Sequence, residues 1–277
     1  METLARPRVA KLLPPRDAAA VVPGYALHCM LTGSVGSMLA SAGHTNRAFE
    51  SELRSLREAV AIMAGRVEQM LSRALQALVQ RDAKLAQRTI LEDPKVNRAE
   101  LEIDEQCLRI LARRQPLASD LRFITLALKM VTDLERVGDI AVNIAERAID
   151  LSQTPQAAVL HDGIPQMEAI VQRMIGDAIG AFVNRDLEMA RAVVRADDEI
   201  DALYDEVFGD LLRVMREDAR AEQLHAVVHV MSVAKWLERA GDHAVHLAEL
   251  VIFMIDGTDV RHTGKLGERA SGPDELG

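Results

Sequence analysis

The 277 residues are 49% hydrophobic but only 3% aromatic, and the formal net charge is −9. Abundant Ala, Leu, Val and Met with so few rings favour close-packed helices over a β-sandwich, and the negative balance argues against nonspecific binding to nucleic acid. The two distant cysteines, Cys29 and Cys107, make no disulfide framework and point to a reducing compartment, and no uncharged apolar window of about eighteen residues offers a membrane span.

Residues 1–45 show no helical or strand periodicity and carry Pro7, Pro14, Pro15, Pro23, Gly24, Gly33 and Gly36. They read as a disordered or peripheral extension, with Met38 as an alternative translation start. From Phe49 the pattern sharpens. Phe49, Leu53, Leu56, Val60, Met63, Val67, Met70 and Ala74 alternate steps of four and three, the seam of a long helix packed as in a coiled coil. That helix is predicted over 46–79. Arg81-Asp82 punctuates, and a helical pattern resumes over 83–91. Asp93-Pro94 fits an N-cap followed by a first-position proline and predicts a kink. The pattern then continues over 96–113 with Leu101, Cys107, Leu108 and Leu111 inward. After Gln115-Pro116, a helix starting near Ser119 and Asp120 is expected to run to about Leu151.

Ser152 to Gly163 reads as a linker, and Pro165 suits the first turn of a helix over 164–183. Asn184-Arg185-Asp186 repeats the punctuation of Gln80-Arg81-Asp82 at an offset of 104. Helices over 187–217 and 221–255 complete the count. The expectation is an all-α chain of six helices in two tandem three-helix bundles, 46–153 and 164–256, with a flexible tail over 257–277.

The doubling extends to a phrase. Leu134-Glu135-Arg136-Val137-Gly138-Asp139-Ile140-Ala141-Val142-Asn143-Ile144-Ala145-Glu146 returns from Leu237 to Glu249 at an offset of 103, with nine of thirteen positions identical. One half is therefore written twice. Each copy sets a Glu and an Asp four apart, Glu135/Asp139 and Glu238/Asp242, which stacks like charges on one helix face. Gly138 and Gly241, unfavourable inside helices, indicate close approach of a neighbouring helix or ligand.

A second acidic helix in each half can face the first. It carries Asp93, Glu100 and Asp104 in one half and Asp197, Asp198 and Asp201 in the other, and Asn143 and His246 sit where they would extend the stripes. Converging carboxylates make an oxygen-rich site for Mg, Mn, Fe or Zn. The plain alternative is a solvated acidic face. A di-iron oxidase would need Glu-x-x-His on two helices, whereas Glu222-x-x-His225 occurs once. No nucleophile elbow or phosphate-binding glycine loop appears, so no reaction is written in these residues.

Together with its second copy, the phrase Leu134–Ala141 and the stretch Arg114-Gln115-Pro116-Leu117-Ala118-Ser119-Asp120-Leu121-Arg122 closely resemble the PhoU family of bacterial phosphate-uptake regulators. His44-Thr45, Phe49 and Leu53 at the start and Gly257, Asp259-Val260-Arg261-His262 at the end are similar to that family's edges. The resemblance covers about residues 44–264. It implies two three-helix bundles, a cytoplasmic homodimer and no catalysis. It also implies a negative regulator that couples a phosphate ABC transporter, through its cytoplasmic ATPase subunit, to a phosphate-sensing histidine kinase. Some members bind metal clusters through Glu/Asp-x-x-x-Asp pairs, which carries over to Glu135, Asp139, Glu238 and Asp242, with Asp197/Asp201 as a further pair. Asp93-x-x-x-Asn97 departs from that pattern and puts equal occupancy of the halves in doubt. Two alternative readings are a metal-dependent or metal-storing helical bundle and an accessory protein of an ion-driven phosphate carrier.

Overall fold

The computed structural model describes residues 47–153, 161–217 and 220–257. Its helices, in chain order, are α1 (Arg47–Gln80), α2 (Ala83–Ile90), α3 (Asp93–Arg114), α4 (Ala118–Ser152), α5 (Gly163–Asn184), α6 (Leu187–Arg195), α7 (Asp197–Glu217) and α8 (Ala221–Asp256). Among the described residues there is no strand. The short helix α2 and its successor α3 are one bent arm, as are α6 and α7. Two bundles of three arms result, as the doubled sequence predicts.

The seam of α1 is buried as its spacing requires: Leu56, Val60, Met63, Val67, Met70 and Ala74 are all at most 1% exposed. Arms α2/α3 and α6/α7 begin alike. Arg81 and Arg185 each take a left-handed backbone at φ 54, ending the preceding helix. Asp82 then caps α2 by accepting from the amides of Lys84 and Leu85, and Asp186 caps α6 through Glu188 and Met189. Such caps satisfy donors that a helix start leaves orphaned.

The bend before α3 falls where Asp93-Pro94 predicts it, with one correction. Glu92 occupies the cap position without a side-chain bond, and Asp93 is already helical. Its carboxylate instead accepts from Asn97 Nδ2 at 3.0 Å. The predicted single helix over 187–217 also breaks, at Ala196.

A second correction concerns α3. Cys107 is buried and Leu111 half-buried against the core, but Leu101 and Leu108 are 63% and 60% exposed. The arm lies outside α1 and α4 and is covered on one side only. Val96, Ile103, Cys107 and Ile110 fill that side, and the two leucines, seven residues apart, fall on the other.

The long helices α1, α4, α5 and α8 form the centre, with one bent arm on each flank. Contacts α1–α5 and α4–α8 join the halves, so one apolar core runs through both. At its end α8 is closed by Gly257, whose φ of 78 suits a residue without Cβ and whose amide donates to Phe253 O at 3.0 Å. No helix among the described residues is long and apolar enough to cross a membrane. The expected extension over 1–45, the Met38 start, Cys29, most of the linker and nearly all of the tail lie outside the described residues.

Candidate functional site

Each half brings its bent arm against its last long helix by way of a glycine. A Cβ on Gly138 would lie 3.4 Å from Val96 Cγ1 of α3, and one on Gly241 3.2 Å from Ile200 Cγ2 of α7. The pairs are equivalent under the internal repeat. Bare backbone at these points lets the arms sit close, and the acids flanking each glycine come to face the acids of the arm.

In the first half Asp93 and Glu100 of α3 meet Glu135 and Asp139 of α4. The electrostatics record the meeting. Burial and then Asp139 raise the Asp93 pKa above the usual carboxylate range. Glu135 is raised by burial, Asp139, Glu100 and Asp93, against relief from Arg136. Glu100 is raised by burial and by Asp104, one turn further along α3, while Thr132 Oγ1 donates to it at 3.4 Å. Asp104 is raised by burial alone. The cations offsetting this are exposed: Arg136 reaches Glu135 at 3.6 Å and Asp139 at 3.3 Å.

The second half gathers Asp197 and Asp201 of α7 with Glu238 and Asp242 of α8. Asp197 is pushed up to about 6 by burial, Asp201 and Asp242. Asp242 is raised by burial and Glu238, against Lys235. Lys235 Nζ stands 2.6 Å from Glu238 Oε2 and also lies over the Tyr204 ring at 5.3 Å.

Asp93, Glu100, Asp104, Glu135 and Asp139 thus belong to the first cluster and Asp197, Asp201, Glu238 and Asp242 to the second, while Asp198 only adds its charge beside Asp197. The clusters are not copies. The equivalents of Glu100 and Asp104 in the second half are Tyr204 and Phe208, whose rings pack at 5.8 Å. Two carboxylates in one half are replaced by an aromatic pair in the other, and Thr132 by Lys235.

The donors fit a hard cation. Every ligand atom on offer is oxygen, and Asp93 Oδ1, Asn97 Oδ1, Asp104 Oδ1 and Asp197 Oδ1 are buried with no hydrogen-bond partner. Orphaned acceptors among mutually repelling carboxylates are what a positive ion relieves. Among the described residues no three of the Asp, Glu, His or Cys side chains already surround one point as a cage.

The histidines of the second copy turn toward the other half. His246 does not extend the stripe of Asp242. Its Nδ1 lies 2.7 Å from Asp133 Oδ2, and His243 Nδ1 lies 3.0 Å from Oδ1 of the same residue. Asp133, 8% exposed, belongs to α4 of the other half. Burial raises its pKa, but the two imidazoles outweigh burial and hold it below the usual range. Sequence reasoning missed this contact. Its signal was that His243 and His246 stand at two of the four positions where the repeated phrases differ. His225 of the isolated Glu222-x-x-His225 pairs with His229, Nε2 to Nε2 at 3.0 Å. Cys107, pushed up to about 12 by burial and then Asp104, is no poised thiolate.

Comparison with known proteins gives consistent results. The family model described as "PhoU domain" matches residues 60–148 and again 164–251. A relative from Pseudomonas aeruginosa, the phosphate-specific transport system accessory protein PhoU homolog, is 40% identical over 221 residues, 80% of this chain and 90% of that protein. The phosphate-specific transport system accessory protein PhoU of Escherichia coli K12 is 36% identical over 222 residues, again 80% and 90%. The crystal structure of PhoU from Pseudomonas aeruginosa superposes with a TM-score of 0.72 at 40% identity, covering 76% of this chain and 100% of that one. That of the phosphate transport system regulatory protein PhoU from Streptococcus pneumoniae gives 0.71 at 26% identity, covering 76% and 99%.

Proposed function

We propose that this chain, which belongs to the PhoU family, is an accessory protein of a phosphate transport system that restrains phosphate uptake and the starvation response. In this reading it is a cytoplasmic homodimer without catalytic activity. It couples the ATPase subunit of a phosphate ABC transporter to a phosphate-sensing histidine kinase. The observation that carries the reading is the match of both halves to the family, with relatives named as accessory proteins of phosphate-specific transport.

The geometry supports a binder. The acids sit in two clusters on the flanks of a bundle, each where a bent arm meets a long helix. A hard cation held by Asp93, Glu135 and Asp139, or by Asp197, Asp201, Glu238 and Asp242, would cancel the repulsion and fix each bent arm on its long helix. The arm could then present a different face with and without the ion. Manganese, magnesium, iron and zinc are the candidates. A metal-storing bundle is the second reading, favoured by the same orphaned oxygens, and an accessory role beside an ion-driven carrier is the third.

Deleting the gene and following a phosphate-starvation reporter in phosphate-rich medium tests the role. Reporter activity should rise and fall again on complementation. An unchanged reporter removes the regulatory reading. Co-purification separates the readings: transporter ATPase and kinase support the coupling, and an ion-driven carrier replaces it.

A further inference from the structure

The acidic clusters have a basic counterpart elsewhere in the fold. Arg54 and Arg57 are three residues apart on α1 and share a face. The Arg57 guanidinium lies over the ring of Phe123, near the start of α4, with its carbon 5.0 Å from the centroid. Phe123 in turn stacks on Phe182 of α5, centroids 5.4 Å apart and planes within 8°. Three residues later α5 ends at Arg185, whose left-handed backbone donates its amide to Ala181 O. The same cap that breaks α5 therefore sets a third arginine beside the stack.

Burial, and after it the charges of Arg185 and Arg54, lower the Arg57 pKa from the usual arginine value. Among the described residues none of the three forms an ion pair, and Arg57 Nε is buried without a hydrogen-bond partner. Arg122, the neighbour of Phe123, has an orphaned buried Nε as well. This is a chain with 42 acidic residues and 33 basic ones. Glu50 and Glu58 lie a turn either side of Arg54 and Asp186 follows Arg185, yet none of them closes an ion pair with the three guanidinia. Clustered guanidinia without an acceptor are unfavourable unless something supplies the negative charge.

We propose that Arg54, Arg57 and Arg185, seated on the Phe123–Phe182 stack, form a binding site for a phosphoryl oxyanion. A carboxylate offers two oxygens in one plane and is satisfied by one guanidinium fork. Three guanidinia arriving from α1 and α5 suit an ion with oxygens in several directions and more than one charge, as in orthophosphate or the terminal group of a pyrophosphate or nucleotide. The stack fixes Arg57 while exposed Arg54 and Arg185 are free to close on the ion. Because α1 belongs to one half and α5 to the other, the ion would lie across their junction. The proposal concerns binding alone and does not depend on the regulatory role.

Calorimetric titration of the full-length protein with orthophosphate, pyrophosphate and ATP, at matched ionic strength, tests it, with poly-glutamate as the comparison. Saturable binding of at least one phosphate is expected, and the tightest of the three identifies the source. Arg54→Glu and Arg185→Asn should each weaken it by about tenfold or more. Both positions are exposed and Asn tolerates the left-handed backbone, so helical content should persist. Absence of saturable binding by every phosphate overturns the site. So does equal affinity in well-folded variants, or tighter binding of poly-glutamate, which would make the patch a docking point for an acidic protein. Reporter behaviour in cells can fail independently of these results.

Discussion

Asp133 of α4 and His246 of α8 face each other across the junction of the two halves, Oδ2 to Nδ1 at 2.7 Å, with His243 on the other carboxylate oxygen at 3.0 Å. One buried acid is thus held by two imidazoles from the opposite bundle. Removing it takes an acceptor from both rings, and Asp133→Ala should lower unfolding free energy by about 1–3 kcal/mol, read from the urea midpoint. The pH dependence has a definite sign. The folded pKa of Asp133 is depressed, so its contribution is present above the unfolded carboxylate value and is lost as pH falls through the folded one. Asp133→Asn should flatten the acid limb of the stability curve.

Glu68 on α1 and Glu168 on α5 should act in the opposite direction. Each is pushed up to about 7 by burial between the halves, Glu168 against some relief from Ser72. Two side chains support the Glu168 carboxylate, Ser72 from α1 and Gln172, whose Nε2 donates at 2.9 Å, while Glu68 Oε1 lies 3.5 Å from the Cβ position of Gly176. With folded values above unfolded ones, the native state binds more protons. Stability should therefore fall as pH rises from about 4.5 through about 7. Glu68→Gln should reduce that fall, measured as thermal midpoint against pH; an unchanged slope would show that Glu68 is already solvated.

The two glycines make a graded prediction. Alanine gains about 1 kcal/mol of helix propensity over glycine, but its methyl must fit the facing arm. At Gly138 the nearest atom is at ordinary contact distance, and at Gly241 it is closer by 0.2 Å, as 3.4 Å against 3.2 Å. Gly138→Ala should be neutral or stabilising, and Gly241→Ala should gain less or lose. Leucine at either position overpacks the contact and should cost about 1–3 kcal/mol. Equal tolerance of leucine at both would mean that the arms do not need close approach.

Much of the fold was legible because local signals and the repeat agree. The four-three spacing of α1, the capping acids Asp82 and Asp186, and the Asp93-Pro94 bend are all readable within a few residues. The break at Ala196 was missed because no proline marks it, although the offset of 104 carries Asp93 onto Asp197. Leu101 and Leu108 were read as core because hydrophobicity does not reveal which side of an outer arm is covered. The acid clusters were legible as repeated pairs on facing helices, and Asp93-x-x-x-Asn97 against Asp197-x-x-x-Asp201 already marked them as unequal. Glu100 and Asp104 look like members of a shared stripe until the repeat offset of 104 is carried along the arm and puts Tyr204 and Phe208 in their places. The bond from His246 to Asp133 joins residues far apart in sequence and in different halves, which periodicity within one helix cannot show.

The central claim is that the doubled carboxylates are cation sites, one on each flank. Titration of metal-stripped protein with Mn²⁺, followed by the loss of the free-ion paramagnetic resonance signal, tests it most directly. The account predicts that Glu135→Ala with Asp139→Ala removes binding at the first site and Glu238→Ala with Asp242→Ala at the second, with helical content preserved. The same uptake of Mn²⁺ by the unaltered protein and by both double variants would contradict it.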